Sequence, residues 1–367
     1  MKLNFVADIR LPTQKAHGIQ IMKMCEAFSD CDSEVTLYIP SRKNKINEDP
    51  FEYYGVKRNF KIIKLPSLDL IHLGVFEKLM FYVHSFSFAV SVFFNLILKD
   101  GEIYSRDILP IFPLSIFKKV TWESHVASWN IFVSVFSKAN KVVVISKGIY
   151  DNYIKRGVRE ENILIAEDGA DREDFAHLDT KNNLRSELGF EDNIKYVLYA
   201  GKMDKWKGYD TLLRASKILP DNIKVVMLGF SEEASIDDLR KQFSNVIFKG
   251  HVNYKMVPRY LKAADLLVIP NSAKSLVSNL YTSPLKVYMS MFSNTPILAS
   301  NIPSLRTTLN DNNAFFFEAD NENSLADTIG GVFANYDLAT EKANEAYVNV
   351  GDYSWINRAK KILTWIK

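Results

Sequence analysis

Tyr196-Val197-Leu198-Tyr199-Ala200-Gly201-Lys202-Met203-Asp204-Lys205-Trp206-Lys207-Gly208 is a β-branched and aromatic run that breaks at a glycine, crosses a lysine-rich loop and closes on a second glycine. The first five residues have the composition of a strand, and a helical pattern follows Gly208. Strand, loop and helix in that order open a βαβ unit, the building block of parallel sheets. Glycines at both ends of the loop allow close approach of a ligand to the backbone. Lys202, Lys205 and Lys207 lie at or near the positive end of the helix and together suit a diphosphate. Taken alone, the same loop also reads as a lysine-rich surface turn.

Outward from this unit the alternation continues. Lys224–Leu228, Val246–Lys249, Leu266–Pro270 and Pro296–Ala299 read as strands with helices between them. Upstream, Leu3–Ala7, Glu34–Ile39, Ile62–Leu65, Ile103-Tyr104, Lys119–Trp122 and Lys141–Ile145 form an earlier series. There a polar loop ending in His17-Gly18 leads into a helix over Ile19–Phe28, and Ser146 is placed to cap another helix. The polar stretch Glu167–Asn183 separates the two series. A chain of 367 residues exceeds the roughly 250–300 that one core supports. The expected fold class is therefore α/β: two Rossmann-like, doubly wound parallel-sheet domains facing across a cleft. Residues 1–167 form the first domain and 168–350 the second. Residues 351–367 form a final helix expected to return to the first domain.

Composition narrows the function. At 47% hydrophobic and 24% charged the chain is an ordinary globular protein. A net charge of +3 excludes a nucleic-acid partner recognised through bulk charge. Basic clusters at Arg42, Lys43 and Lys45, at Lys57 and Arg58, and at Lys118 and Lys119 fall in the first half. They read as solvated surface, or as a face meeting anionic lipid or an acidic acceptor. Cys25 and Cys31 have no metal-ligand spacing with His. The first strand is too short to be a signal peptide, so a cytoplasmic protein is expected, with peripheral contact at the inner face of a membrane as an extension. Residues 79–98 contain no Asp, Glu, Lys or Arg, a length that suits a membrane span. His84, Ser87, Ser91 and Asn95 form one polar stripe there, and the segment is read as a helix buried against a sheet. A helix in a membrane surface and a spanning helix are the alternatives.

Two further segments carry chemistry. In Tyr281-Thr282-Ser283-Pro284-Leu285-Lys286, Ser followed by Pro marks a helix start, which presents free N–H groups to an anion. A helix start without a ligand reads the same way. Trp122-Glu123-Ser124-His125 ends a strand and would aim Glu123 and His125 at the cleft, where His suits proton transfer or a sugar hydroxyl. A lone His is also commonly structural. The first strand is followed by no G-x-G-x-x-G, and no Walker-type loop or metal-ligand cluster stands out.

In this order the segments resemble family 4 glycosyltransferases of the GT-B fold. Asp168-Gly169-Ala170-Asp171 with Phe175, Gly201-Lys202, Lys207-Gly208, Gly250-His251-Val252, Val257-Pro258, Ala264-Asp265, Ser283-Pro284-Leu285-Lys286 and Thr295–Ser300 resemble that family's donor domain, the Ser-Pro-Leu-Lys run marking a large subgroup. His17-Gly18, Tyr104–Asp107 and Glu123-Ser124-His125 resemble the subgroup's first half. Lys202 stands where the family has Arg, keeping charge but losing the bidentate fork. The family's paired Glu residues are replaced by Tyr281 and Met289, and Met289 offers no strong acceptor to ribose.

The resemblance implies a retaining, metal-independent transferase with no cofactor. It would move a sugar from a UDP- or GDP-sugar to a glycan or lipid-linked acceptor, in cell-surface polysaccharide or glycoconjugate synthesis. It implies that His125, Lys202 and Lys207 are catalytic. Gly18, Gly201, Lys205, His251, Val252, Ser283, Pro284, Leu285 and Lys286 would bind the donor. His17, Arg106 and Glu123 would lie on the acceptor or sugar side. Gly18 would let its loop close over the phosphates. A non-catalytic sugar-nucleotide or glycan binder on the same fold is the alternative motivated by the missing Glu pair. A sugar-nucleotide epimerase is a third reading, resting on Glu123 and Asp107 as its carboxylates.

Overall fold

A computed structural model of the chain describes residues 1–69, 76–283 and 285–367. It divides into two units, Met1–Glu167 with Trp355–Lys367, and Asp168–Ser354. Among the described residues, unit 1 carries seven strands: β1 Lys2–Val6, β2 Glu34–Pro40, β3 Lys61–Leu65, β4 Glu102–Ser105, β5 Val120–Ser124, β6 Lys141–Val144 and β7 Ile163–Ile165. They pair in parallel in the order β3-β2-β1-β4-β5-β6-β7. The described residues of unit 2 carry six: β8 Lys195–Ala200, β9 Ile223–Leu228, β10 Val246–Gly250, β11 Leu266–Ile269, β12 Ile297–Ser300 and β13 Phe315–Phe317. These are parallel in the order β10-β9-β8-β11-β12-β13. Each order runs outward from the first strand in both directions, the doubly wound plan. The carboxyl ends near the reversal are where such sheets bind ligands.

The central strands are hydrophobic on both faces because helices cover both. In unit 2, Leu198, Val226 and Ile269 pack on one side of the sheet, and Val197, Tyr199, Val225 and Val268 on the other. The last helix, Trp355–Ile366, packs on the first helix, Ala16–Asp30, and Lys141 Nζ donates to the Trp365 carbonyl at 2.7 Å. The chain passes between the units at 354/355 rather than at 350/351. Residues 351–354 stay with unit 2 because Ala170 N–H donates to the Tyr353 carbonyl at 3.1 Å and Tyr353 stacks on Tyr288 at 5.0 Å.

Two sequence expectations are corrected here. His17 and Gly18 lie inside the first helix, not in a loop. A Cβ on Gly18 would meet the Tyr54 hydroxyl at 2.2 Å and the Thr13 methyl at 2.7 Å. That hydroxyl accepts from Thr13 N–H at 2.7 Å and donates to the Thr13 carbonyl at 2.9 Å. The missing side chain therefore admits Tyr54.

The long helix, Glu77–Leu96, is the second correction. Its polar stripe faces inward at His84, Ser87 and Ser91, while Asn95 is exposed. His84 is 0% exposed and its Nε2 lies 2.8 Å from Asp8 Oδ1. Ser85 Oγ donates to Asp8 Oδ2, Ser87 Oγ accepts from Leu68 N–H at 2.9 Å, and Ser91 Oγ donates to the Pro66 carbonyl at 2.6 Å. With Phe88, Val92 and Leu96, these groups hold the inner face. Phe81, Tyr82, Phe86 and Phe94 are left outside, Phe86 being 73% exposed and Phe94 74%. By length and composition, Lys78–Leu96 could cross a membrane.

Candidate active site

In unit 2 the candidate site is built at the carboxyl end of β8. Gly201 follows the strand with φ 144°, and Gly208 closes the loop with φ 66°. A Cβ on Gly208 would lie 1.8 Å from the Pro270 carbonyl, so glycine here lets the lysine loop sit against the end of β11. Lys202 and Lys207 converge on one carboxylate. Asp204 Oδ1 is 2.9 Å from Lys202 Nζ and its Oδ2 is 3.1 Å from Lys207 Nζ. Glu232 takes a second contact from Lys202 at 2.7 Å, and this partner, then Asp204, raises the Lys202 pKa. Burial alone would push Asp204 up, but its hydrogen bonds to Lys202 and Lys207 bring it below the usual carboxylate range. Burial outweighs Asp204 at Lys207 and lowers its pKa. Lys205 is exposed and pairs with neither carboxylate.

Lys286 lies on the helix Leu285–Phe292. Its stem is partly accessible, but its ammonium is buried and has no hydrogen-bond partner. The Nζ stands 5.0 Å from the Tyr199 ring centroid. Burial, then the charge of Lys207, depresses its pKa well below the lysine range. A buried lysine amine with no hydrogen-bond partner and a second lysine in its field is chemistry that suits an anion. Leu285 opens the same helix and is half-buried. Pro284 lies outside the described residues. Ser283 Oγ accepts from Asp168 N–H at 3.3 Å and bonds the Tyr288 hydroxyl at 3.0 Å, so it ties the helix start to the first residues of the unit. His251 meets Phe230 edge-on at 6.2 Å, and Lys202 Nζ lies 6.0 Å from the same ring. Val252 packs on the core. Met289 is buried in that core and presents no polar group.

Two groups were missed in the sequence. Asn271, just after β11, is 0% exposed and neither its amide oxygen nor its nitrogen has a partner. Gly229 follows β9, and a Cβ there would lie 2.0 Å from the Gly201 carbonyl. Both sit at carboxyl ends of strands, a position that was the available signal.

In unit 1 the expected residues gather around Glu123 at the end of β5. Its buried carboxylate accepts from Gln20 Nε2 at 2.6 Å, lies 2.5 Å from His125 Nε2 and 3.1 Å from Arg358 Nη2, and takes the Tyr104 hydroxyl. Burial would raise this carboxyl, but Arg358 and the His125 hydrogen bond hold it well below its usual range. Arg106 Nη1 donates to Gln20 Oε1 at 2.9 Å. His17 is held neutral: burial, then Arg106, lowers its pKa to about 4. Beside this network, Asp8 N–H donates to Asp107 Oδ2 at 2.8 Å, and burial raises Asp107 to about 6. Glu123 thus fixes the His125 ring. Arg358 and Gln20 were invisible as members of this group.

Residues 180–348 match the family model described as glycosyl transferases group 1. The match lies in unit 2 and contains the whole lysine cluster. An uncharacterized glycosyltransferase of Methanocaldococcus jannaschii is 28% identical over 195 residues, 51% of this chain and 48% of that protein. Alpha-galactosylglucosyldiacylglycerol synthase of Streptococcus pneumoniae is 24% identical over 147 residues, 38% of this chain and 39% of the relative. The chain spans half or less of the length of these curated relatives. Among solved structures, Anabaena HepE in complex with UDP superposes with TM-score 0.77 at 14% identity, covering 100% of this chain and 99% of the other. Sucrose-phosphate synthase of Thermosynechococcus elongatus gives 0.77 at 17%, covering 100% and 98%. At these identities the likeness is one of fold, and both units have the Rossmann-like parallel sheets of the GT-B plan.

Proposed function

We propose that this chain is a retaining glycosyltransferase that takes a sugar from a UDP- or GDP-sugar and delivers it to a glycan or lipid-linked acceptor in the cytoplasm. The observation that carries the reading is the unpartnered, buried ammonium of Lys286 beside Lys207 at the carboxyl edge of the second sheet. A diphosphate would supply the missing counter-charge. Lys202 and Lys207 would exchange Asp204 for it and stabilise the charge that grows as the glycosidic bond to phosphate breaks. His125, its ring fixed by Glu123, would hold the sugar or orient the acceptor hydroxyl. Arg106 and His17 would border that position, His17 as a neutral hydrogen-bonding group at pH 7. In retention the acceptor attacks the face from which the diphosphate leaves, and a phosphate oxygen takes the hydroxyl proton. HepE was crystallised with UDP and with UDP-glucose, which supports a uridine donor here as the first to test. Lysines do the neutralising in this scheme, and Arg358 on Glu123 disfavours a cation at that carboxylate, so transfer is proposed to need no metal.

A second reading has its own observation. Met289 is buried in apolar core and leaves ribose without the acceptor that the resembling family provides there, which favours a binder that does not turn over. The experiment is a thermal-shift panel of UDP, GDP, ADP and their sugars, with and without EDTA, followed by a transfer assay on any base that binds. A shift that is insensitive to EDTA and lost in Lys207→Ala supports the donor site. Release of diphosphate with an acceptor present separates the transferase from the binder. No shift with any nucleotide overturns the transferase reading and leaves the non-catalytic glycan binder.

A further inference from the structure

We propose that Arg10 and Arg42 of unit 1 form an oxyanion site that recognises a phosphate or carboxylate carried by the acceptor sugar. Its role toward the acceptor rests on the transferase reading, whereas its binding of an anion does not. β3, β2 and β1 are neighbours in the first sheet, and Asp69, Arg42 and Arg10 follow their carboxyl ends in that order. This is the edge at which open α/β sheets bind ligands. The loops that carry the three residues are tied to one another. Asn44 Nδ2 donates to the Pro12 carbonyl at 2.8 Å, Ser67 Oγ donates to the Ser41 carbonyl at 3.1 Å, and Lys43 N–H donates to Asp69 Oδ2 at 3.1 Å. The Tyr54 hydroxyl holds both backbone groups of Thr13. The backbone thus brings two like charges together and fixes their spacing.

Pairing inside the group is incomplete. Arg42 Nε stands 3.4 Å from Asp69 Oδ1, and Arg10 Nη2 stands 3.9 Å from the same oxygen. Both Nε atoms and Asp69 Oδ1 are buried without a hydrogen-bond partner. The neighbouring carboxylate of Asp8 is already taken, by His84 Nε2 at 2.8 Å and Ser85 Oγ at 3.1 Å. Burial, then the Arg10 charge, lowers the Arg42 pKa. Arg185, a buried arginine of unit 2, shows the contrast. It meets Asp265 at 2.9 Å and the carbonyls of Glu191 and Ile194 at 2.6 and 2.9 Å. An arginine that serves the fold is satisfied in that way. Arg10 and Arg42 share one carboxylate at long range and keep their forked donors, whose geometry matches phosphate and carboxylate oxygens. Their side chains are 37% and 11% exposed, so the pair is open to a solute on one side and desolvated on the other. That depth separates Arg42 from Lys43 and Lys45 of the same basic cluster, which are exposed.

The test is titration calorimetry of the full chain with inorganic phosphate, then with hexose 6-phosphates, hexuronates and the neutral hexoses. The variants are Arg10→Gln, Arg42→Lys and Asp69→Asn, with Lys207→Ala as the donor-side control. Wild type should bind phosphate. Arg10→Gln loses a charge and Arg42→Lys loses the fork, and each should weaken phosphate binding by about tenfold or more. Asp69→Asn removes the competing charge and keeps an oxygen for Lys43 N–H, so it should tighten phosphate binding by about threefold or more. At least one sugar phosphate or uronate should bind more tightly than inorganic phosphate and than its neutral counterpart, and the class that does so names the oxyanion. The proposal is overturned by a wild type that binds no phosphate, by binding that both arginine variants keep, or by binding lost only in Lys207→Ala. An Asp69→Asn variant that binds phosphate no better than wild type also overturns it, as does a panel in which no anionic sugar stands out. The thermal shift with UDP should match wild type in all three unit 1 variants. A wild type that binds phosphate at the arginines without a UDP shift sinks the donor site alone, and a UDP shift without that phosphate binding sinks the arginine site alone.

Discussion

Lys286→Met separates stability from binding, because the two should change in opposite directions. In the ligand-free protein the Lys286 ammonium is buried and unpartnered, with the Tyr199 ring at 5.0 Å as its compensation. Such a cation–π contact contributes about 0.5–2 kcal/mol. An unsatisfied buried donor costs about 1–3 kcal/mol, and more when charged. The balance is a cost of about 1–2 kcal/mol. Methionine keeps the length of the stem and removes the charge. The variant should therefore be more stable without ligand by about 1–2 kcal/mol, a rise in Tm of roughly 2–8 °C for a unit of this size. A charge-assisted hydrogen bond to an anion contributes about 1.5–3 kcal/mol, so affinity for UDP should fall roughly 10- to 150-fold.

The pH dependence supplies a second readout of the same residue. Burial lowers the folded pKa of Lys286 below 10.5. Between the two values the unfolded chain binds more protons, so the ligand-free stability rises with pH across that window. The methionine variant should lose this slope, and UDP binding to wild type should take up a proton over the same range. Thermal unfolding and isothermal calorimetry in buffers of different ionisation enthalpy measure all three. A variant that is destabilised by more than 1 kcal/mol and binds UDP as wild type does would refute the role proposed for Lys286.

His17 and Asp107 should tilt the pH profile of stability in opposite directions. With a folded pKa of about 4 against 6.5, His17 makes the folded state lose stability as pH falls through that window, and His17→Gln should remove the loss. With about 6 against 3.8, Asp107 makes the folded state lose stability as pH rises through its window, and Asp107→Asn should remove that loss. Urea midpoints from pH 4 to 7 read both, and parallel profiles for the two variants would contradict the assignment. Asp204→Asn takes away the carboxylate that a diphosphate must displace from Lys202 and Lys207, and should tighten UDP binding by about fivefold in titration calorimetry. Weaker binding would make Asp204 a part of the ligand site. Gly18→Ala should cost about 1–3 kcal/mol in denaturant unfolding, from overlap with Tyr54 and Thr13, with the UDP shift retained.

What the sequence made legible, and what it hid, follows the distance over which each feature is decided. The central strands are legible because a strand buried on both faces is a continuous β-branched or aromatic run, as in Tyr196–Ala200 or Lys141–Val144. The edge strands Ile163–Ile165 and Phe315–Phe317 were passed over, since three residues carry no period. The Ser146 cap is a contact three residues long, with Ile149 N–H donating to its hydroxyl at 3.4 Å, and reads directly. Glu123 and His125 could be singled out as polar residues ending a strand. Arg358, which fixes the charge of Glu123, stands 235 residues further on, and no local pattern points to it. Lys286 was legible as a lysine at a helix start, but its lack of a counter-ion is a property of everything around it.

The long helix is the sharpest case. Its polar stripe is legible as a stripe, but the way it faces is not, because an amphipathic pattern does not say which face meets water. That is decided by partners brought from β1 and from the loop after β3, where Asp8, Pro66 and Leu68 supply bonds that His84, Ser85, Ser87 and Ser91 can complete only by turning inward. A buried carboxylate at Asp8 needs donors more than Phe86 or Phe94 needs burial. An unpaired buried carboxylate costs several kcal/mol, whereas an exposed aromatic ring forgoes about 2. The helix therefore resolves the conflict in favour of its polar groups and leaves its rings outside, and Asp8→Ala should weaken that preference. The fluorescence of 1-anilinonaphthalene-8-sulfonate bound to the exposed rings then reads the balance. It should be strong in wild type and reduced in Phe86→Ser/Phe94→Ser. It should change in Asp8→Ala only if the inward bonds are what hold the aromatic face out.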